Sequence, residues 1–342
     1  MTTPHWIEEL LACPSCGGEL LLSSGAYTCR DCTRAYPIRY GIPDFRLEPD
    51  PYISYADEIR KIEGFATTGE SFAAMVRAYY VLTPESPPNL HRRYIASMDA
   101  AVARGAGMIA KLRARCIAPP PGSGTALDLG CGTAGMSIAA SREFSCVVGV
   151  DVALRWLVMG KRRLFEEGIE IPLICANAEA LPFKRGLFDV VVADAVIEHV
   201  RNPGRMRDET LRVLKPGGGF FFTTNNRYSV LPEPHLRVFG FGVLPRRWME
   251  AAAMRLRQTP YKVHLHSRRE LVDLFRGHAE VILPFFFEGE LGSRHEKTRR
   301  RWERLRRSAA FRMIFGRVVP QYFVIGQRPA DPPPTRTRGA AC

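Results

Sequence analysis

Residues Ala126–Met136 read ALDLGCGTAGM, and Cys146–Asp151 follow as CVVGVD. The first stretch opens as a short apolar strand and runs into a turn carrying Gly130, Gly132 and Gly135. A helix-like segment separates it from the second apolar strand, which ends on an acid. Glycines at such a turn let the backbone approach a ligand with no side chain in the way. An acid closing the next strand can accept hydrogen bonds from two ribose hydroxyls. The two stretches predict a nucleoside-binding crevice at the carboxyl ends of parallel strands.

Working outward, apolar runs at about 125–129, 146–150, 171–175, 188–193, 218–224, 279–287 and 320–327 alternate with helical patterns. That alternation predicts an α/β fold, a parallel sheet with helices on both faces. The glycine spacing G-x-G-x-x-G also suits a dinucleotide. Asp128 argues against one, because its charge would lie close to a pyrophosphate. It suits a cationic amino group instead.

The block DLGCGT at 128–133 resembles motif I of the class I S-adenosylmethionine-dependent methyltransferases. Further blocks continue that resemblance in order: Asp151, then NAEALPF at 177–183, FDVVVAD at 188–194, EHV at 198–200 and LRVLKPGG at 211–218. The resemblance covers roughly residues 105–330 and implies a seven-stranded Rossmann-like sheet whose last strand runs antiparallel. It also implies the cofactor contacts: Asp151 on the ribose, Asn177 and Ala178 about the adenine, Asp128, Gly130 and Gly132 toward the methionine end, and Asp194 closing the fourth strand. His199 is the best candidate base, with Glu198 beside it; the competing reading is that this pair caps and packs a helix start. His235, His264 and His266 read as surface or substrate contacts ahead of zinc ligands.

The amino terminus carries its own signal. Cys13-Pro14-Ser15-Cys16 and Cys29-Arg30-Asp31-Cys32 are two CxxC units separated by twelve residues. Each offers two thiolates, and four complete a closed tetrahedral shell around one structural Zn²⁺. The wider pattern CPSCGGEL…YTCRDC…YPIRYGIPDF over residues 10–46 resembles the small zinc-ribbon activator subunit of tRNA and protein methyltransferases. The expected organisation is a zinc ribbon over 1–46 and a helical connector covering the cofactor over 47–115. A methyltransferase domain over 116–328 follows, with insertions at about 225–267 and 289–319, and then a disordered tail over 329–342. In the connector, Ser71–Val81 and Leu90–Arg115 have helical patterning, the latter divided near Gly105 and Gly107; Leu47–Tyr52 reads as turn.

No apolar run approaches the ~20 residues that span a bilayer. The opening MTTPHWIEELLACPSC lacks a secretion-signal pattern, so a cytoplasmic chain with reduced thiols is expected. The net charge of +13 favours an acidic partner. Arg294–Arg307 holds eight Lys and Arg against two acids. With Trp302, Leu305 and Ala309 at helical spacing, it reads either as a solvated face or as an amphipathic helix. The second reading would meet an anionic membrane surface, making the chain peripheral there, or RNA.

After the fourth strand stands Asp194-Ala195-Val196-Ile197, not the Asn/Asp-Pro-Pro-aromatic run of amino-group nucleic-acid methyltransferases. The NAEALPF and EHV blocks resemble the branch that methylates quinone precursors and other small metabolites. The segment 226–247 loosely resembles enzymes of glycan and secondary-metabolite pathways. The leading expectation is a methyltransferase acting on a small molecule or a glycan- or lipid-linked precursor. The alternatives are an RNA methyltransferase, since a zinc ribbon also precedes this domain in a ribosomal RNA guanine methyltransferase family, and an inactive cofactor-binding scaffold.

Overall fold

The computed structural model describes residues 5–66, 71–83, 88–229, 231–258, 260–282, 308 and 318–330. The chain opens with one helical turn, α1 (His5–Glu8), and a small antiparallel sheet of β1 (Leu20–Ser23), β2 (Ala26–Cys29), β3 (Ala35–Arg39) and β4 (Ile42–Pro43) in sequential order. Four connector helices follow: α2 (Tyr55–Ala66), α3 (Phe72–Val81), α4 (Pro88–Asp99) and α5 (Ala101–Arg113). Ser71 caps α3 by accepting from the Ala74 N–H, which satisfies one of the orphan donors of a helix start.

The main domain alternates strand and helix. Its elements are β5 (Thr125–Leu129), α6 (Gly135–Ser141), β6 (Cys146–Asp151), α7 (Leu154–Glu166), β7 (Leu173–Cys175), β8 (Phe188–Asp194), α8 (Pro203–Val213) and β9 (Leu214–Asn225). Then come α9 (Arg246–Arg257), α10 (Arg268–Leu274), β10 (Ala279–Ile282) and β11 (Gln321–Gln327). The seven strands are ordered β10-β11-β9-β8-β5-β6-β7. The five from β9 to β7 are parallel, while β11 runs antiparallel to both β9 and β10. This is the seven-stranded Rossmann-like sheet expected from the sequence. The strands read as continuous apolar runs because both faces are covered. One face carries α5, α6 and α7, with Met108, Met136 and Leu157 buried; the other carries α8 and α10, with Met206 and Phe275 buried.

The order reverses between β5 and β8, so the crevice opens at the carboxyl ends of β5, β6 and β8. The amino-terminal sheet packs on the opposite edge, against β7. Phe45 N–H donates to the Cys175 carbonyl (2.7 Å), Ala12 N–H to Pro182 (3.1 Å), and Lys184 N–H to Leu10 (2.9 Å). Tyr27, Tyr36 and Phe45 join one core with Leu181, Phe183 and Phe188. An exposed edge strand is thereby covered.

The structure departs from the sequence reading at two places in the connector. The 90–115 helix breaks at Ala100, not at Gly105 or Gly107. A Cβ on Gly105 would lie 3.0 Å from the Ala139 Cβ, so that glycine serves close packing of α5 on α6. The helix α2 was not foreseen. Leu47–Tyr52 is bend and turn as expected, and it is the segment that crosses the crevice. The insertion 289–319 and the tail 329–342 lie almost wholly outside the described residues, as does the whole of Arg294–Arg307.

Candidate active site and zinc ribbon

The glycine turn is built by close approach. Gly130 takes φ 76°, and a Cβ there would fall 2.2 Å from Val196 Cγ2. Gly132 takes φ 51° and faces open space. Asp151 organises the turn: its Oδ2 accepts the Gly132 N–H and its Oδ1 the Ala153 N–H, both at 2.8 Å. Each oxygen keeps a second lone pair for a ligand. Burial pushes the Asp151 carboxyl up to about 6 against these bonds. Asp128 lies beneath the turn, 1% exposed, and accepts from Ser137 Oγ at 2.6 Å. Burial raises it to about 7. Asp194 accepts from Thr223 Oγ1 (2.6 Å) and pairs with Arg104 of α5 (2.8 Å).

These groups line one cavity of about 830 Å³, shared with Gly130, Gly132, Ala178, His199 and His235. Its walls are mostly aromatic and apolar, from Tyr79, Tyr80, Tyr94, Met98, Met136 and Trp156. The chain from Leu47 to Tyr52 forms its roof.

That roof is held by side chains far apart in sequence. Asn177 Oδ1 accepts the Leu47 and Glu48 N–H groups (2.8 and 3.0 Å), and its Nδ2 donates to the Glu48 carbonyl. The Asn177 amide therefore pins the roof, and the residue also lines the cavity beside Ala178. Arg155, on the first turn of α7, pairs with Asp50 (2.6 Å) and Glu58 (3.0 Å). Arg46 pairs with Asp44 (2.7 Å) and Glu58 (2.8 Å). All five side chains are less than one-tenth exposed.

The end of the cavity away from the turn holds His199 and His235, ring centroids 5.3 Å apart. Tyr52 Oη meets His199 Nδ1 at 2.5 Å. Burial, then the neighbouring His235, lowers His199 to about 3, so it is neutral at physiological pH. His235 Nδ1 meets Glu233 Oε1 at 2.6 Å. Glu198 does not face the cavity. It is fully buried, accepting from Thr224 Oγ1 (3.0 Å) and Asn225 Nδ2 (2.8 Å). It ties the chain leaving β8 to β9; the helix that follows, α8, is capped by Asn202 instead. His266 is buried beside Asn226, and His264 lies next to it, so neither joins the cavity lining.

In the ribbon, the Sγ atoms of Cys13, Cys16, Cys29 and Cys32 all lie within 4.8 Å of one another. The four soft donors on two knuckles fit one tetrahedral Zn²⁺ with no coordination position left over. Tyr36 Oη sits 3.1 Å from Cys13 Sγ, an outer contact that orients the ligand. Among the described residues this is the only such metal-ligating cluster.

The methyltransferase-domain family matches residues 127–222, and the Trm112p-like protein family matches residues 9–41. The chain is an S-adenosylmethionine-dependent methyltransferase carrying a Trm112p-like zinc ribbon. It is 27% identical over 171 residues to the ubiquinone biosynthesis O-methyltransferase of Coxiella burnetii, a match covering 44% of this chain and 71% of that protein. Against the enzyme of the same name from Shewanella pealeana the figures are 32% over 153 residues, 43% and 59%. Among solved structures it is similar to a Haemonchus contortus phosphoethanolamine N-methyltransferase 2 (18% identity, TM-score 0.44, 66% of this chain and 52% of that one). It is likewise similar to geranyl diphosphate C-methyltransferase from Streptomyces coelicolor (20%, 0.43, 66% and 78%).

The methyltransferase's donor set suits its cofactor. An acid closes β6, the turn leaves open space at Gly132, and Asp128 and Asp194 line the same cavity. Sequence reasoning missed Tyr52, Arg104, Ser137, Arg155 and the pairing of His235 with Glu233. Arg155 carried a signal, standing four residues after Asp151 on an incoming helix. Tyr52 carried none, because its neighbours read as turn.

Proposed function

We propose that this methyltransferase transfers a methyl group from S-adenosylmethionine to a hydroxyl of a small, largely apolar acceptor. The observation that carries the reading is the single cavity of about 830 Å³, which joins the glycine turn and Asp151 to Tyr52, His199 and His235. Its volume suits a nucleoside cofactor and a small acceptor together, within the ~300–1,000 Å³ of ligand pockets. The similarity to two O-methyltransferases, at 27% and 32% identity, supports oxygen as the acceptor atom.

The bound cofactor supplies a sulfonium methyl that is already electrophilic, so the chain's task is positioning and exclusion of water. Asp151 holds the ribose diol through its free lone pairs, and the Gly130–Gly132 backbone allows close approach. Asp128 and Asp194 face the cationic methionine end. The Leu47–Tyr52 roof closes the cavity over both ligands. We also propose that Arg294–Arg307 meets an anionic membrane surface. That contact would place a cytoplasmic enzyme beside a lipid-linked acceptor. No helix of the described residues is long and apolar enough to cross a membrane.

Calorimetry tests the cofactor assignment. The wild type binds S-adenosylmethionine, and Asp151→Ala weakens binding by about 1–3 kcal/mol, the cost of unpaired buried hydroxyls. No binding by the wild type, or equal affinity in the variant, sinks it. Transfer of labelled methyl to a catechol probe, 3,4-dihydroxybenzoate, tests the acceptor class.

A further inference from the structure

The two histidines at the acceptor end are wired in opposite senses. Glu233 is 4% exposed, and its carboxylate accepts from the His235 N–H (2.8 Å), the Leu236 N–H (2.5 Å) and Tyr261 Oη (3.2 Å). A carboxylate can only accept. The 2.6 Å contact between its Oε1 and His235 Nδ1 therefore requires the proton on Nδ1. Neutral His235 then carries a bare Nε2 on the far side of the ring, and the residue lines the cavity with its side chain 30% exposed. His199 is the reverse case. A phenol is a better donor than acceptor and an imidazole nitrogen a good acceptor, so Tyr52 Oη donates into Nδ1. Burial pushes the Tyr52 phenol further up, which keeps that proton in place. The proton of neutral His199 then sits on Nε2, and no lone pair of that ring is open.

We propose that His235, oriented by Glu233, is the general base of the methyl transfer, and that His199 with Tyr52 forms the neutral wall against which the acceptor packs. The inference rests on the O-methylation reading. In the step, the acceptor O–H bond breaks as its oxygen bonds the methyl carbon and the methyl–sulfur bond opens to leave a neutral thioether. The proton passes to His235 Nε2, and the resulting imidazolium is paired with the Glu233 carboxylate. An acid that fixes the tautomer and then stabilises the imidazolium is the role of the orienting carboxylate in catalytic triads. The turn carrying the pair is tied to itself by the Glu233 N–H on the Val238 carbonyl (3.0 Å) and the Arg237 N–H on the Glu233 carbonyl (2.8 Å). The groups around the pair are Glu233 and Tyr261 from its own insertion, and His199 and the buried Glu198 after β8.

The test needs no acceptor for its first arm. In the full chain bound to S-adenosylhomocysteine at pH 8, ¹⁵N NMR of the imidazoles should find His235 protonated at Nδ1 and His199 at Nε2. His235 protonated at Nε2 overturns the proposal. In the second arm, His235→Asn should lower methylation of the catechol probe by ~10²–10⁴-fold, the range of general-base contributions, with S-adenosylhomocysteine affinity unchanged by calorimetry. His199→Asn should lose less than tenfold. Glu233→Gln should keep the affinity and lower turnover at least tenfold. Full turnover in His235→Asn overturns His235 as the base. Failure of the wild type to methylate the catechol counts against the hydroxyl acceptor, and the tautomer measurement still decides the state of His235.

Discussion

The floor and the roof of the crevice are built by different physics. The floor is local: Asp128, Gly130, Gly132 and Asp151 lie within 24 residues of sequence, and the carboxylate of Asp151 holds the turn through main-chain amides. The roof is remote: Asp50 meets Arg155 across 105 positions, and Tyr52 meets His199 across 147. It is held by buried ion pairs and by the ribbon at its far end. A floor made of backbone depends on a few local residues, the glycines and the two acids. A roof made of charges fails when one partner is removed, because a buried charge is left uncompensated.

Metal removal breaks the comparison most severely. Zinc binding at structural sites is worth ~10–16 kcal/mol in isolated fingers and is folding energy. Cys13→Ser and Cys29→Ser should each lose the one zinc per chain by elemental analysis. Amides of β2 and β3 should lose exchange protection while those of β5, β6 and β8 keep theirs. Full zinc content in both variants would refute the site.

Glu58→Ala tests the roof without touching the zinc ligands. It leaves Arg46 and Arg155 short of a carboxylate in a buried setting, and should destabilise by ~3–5 kcal/mol. Denaturant unfolding measures it; a loss under 1 kcal/mol means the network is not what holds the roof.

His199 makes the roof pH-sensitive. Its folded-state value lies near 3, below the ordinary 6.5, so the unfolded chain binds the extra proton between those limits. Its contribution is complete above pH 6.5 and is lost as pH falls toward 3. By pH 5 the loss is on the order of 1–2 kcal/mol, at 1.36 kcal/mol per unit. Asp128 and Asp151, whose values are raised, act in the opposite sense. They are common to wild type and His199→Asn, so the difference between the two stability curves isolates the histidine. A difference that does not change between pH 7 and 5 contradicts this.

The smallest effect is expected outside both regions. Replacing Arg299, Arg300, Arg301 and Arg304 with Gln should leave cofactor affinity intact and weaken binding to anionic vesicles. The loss should be greatest at low salt, since the Debye length is ~10 Å at 0.1 M. Unchanged vesicle binding makes the segment a solvated face, and weakened RNA binding alone would favour an RNA acceptor.

The sequence by itself determined the α/β sheet, the ribbon and the floor. Those features rest on short-range rules: apolar runs bounded by turns, glycines where the backbone must approach, and cysteines paired at knuckle spacing. Only the tertiary structure decided the roof and the acceptor end. Glu198 and His199 are neighbours in sequence, yet one braces β9 and the other enters the cavity, because the chain leaving β8 turns between them. Asn177 lines the cavity, as a contact about the adenine requires, but that its amide also holds the Leu47 and Glu48 backbone was visible only in the fold. His235 became a base candidate only when the turn at 233–238 put a buried carboxylate on its Nδ1. Partner identity across a hundred or more residues is set by packing of the whole sheet, and local patterns do not encode it.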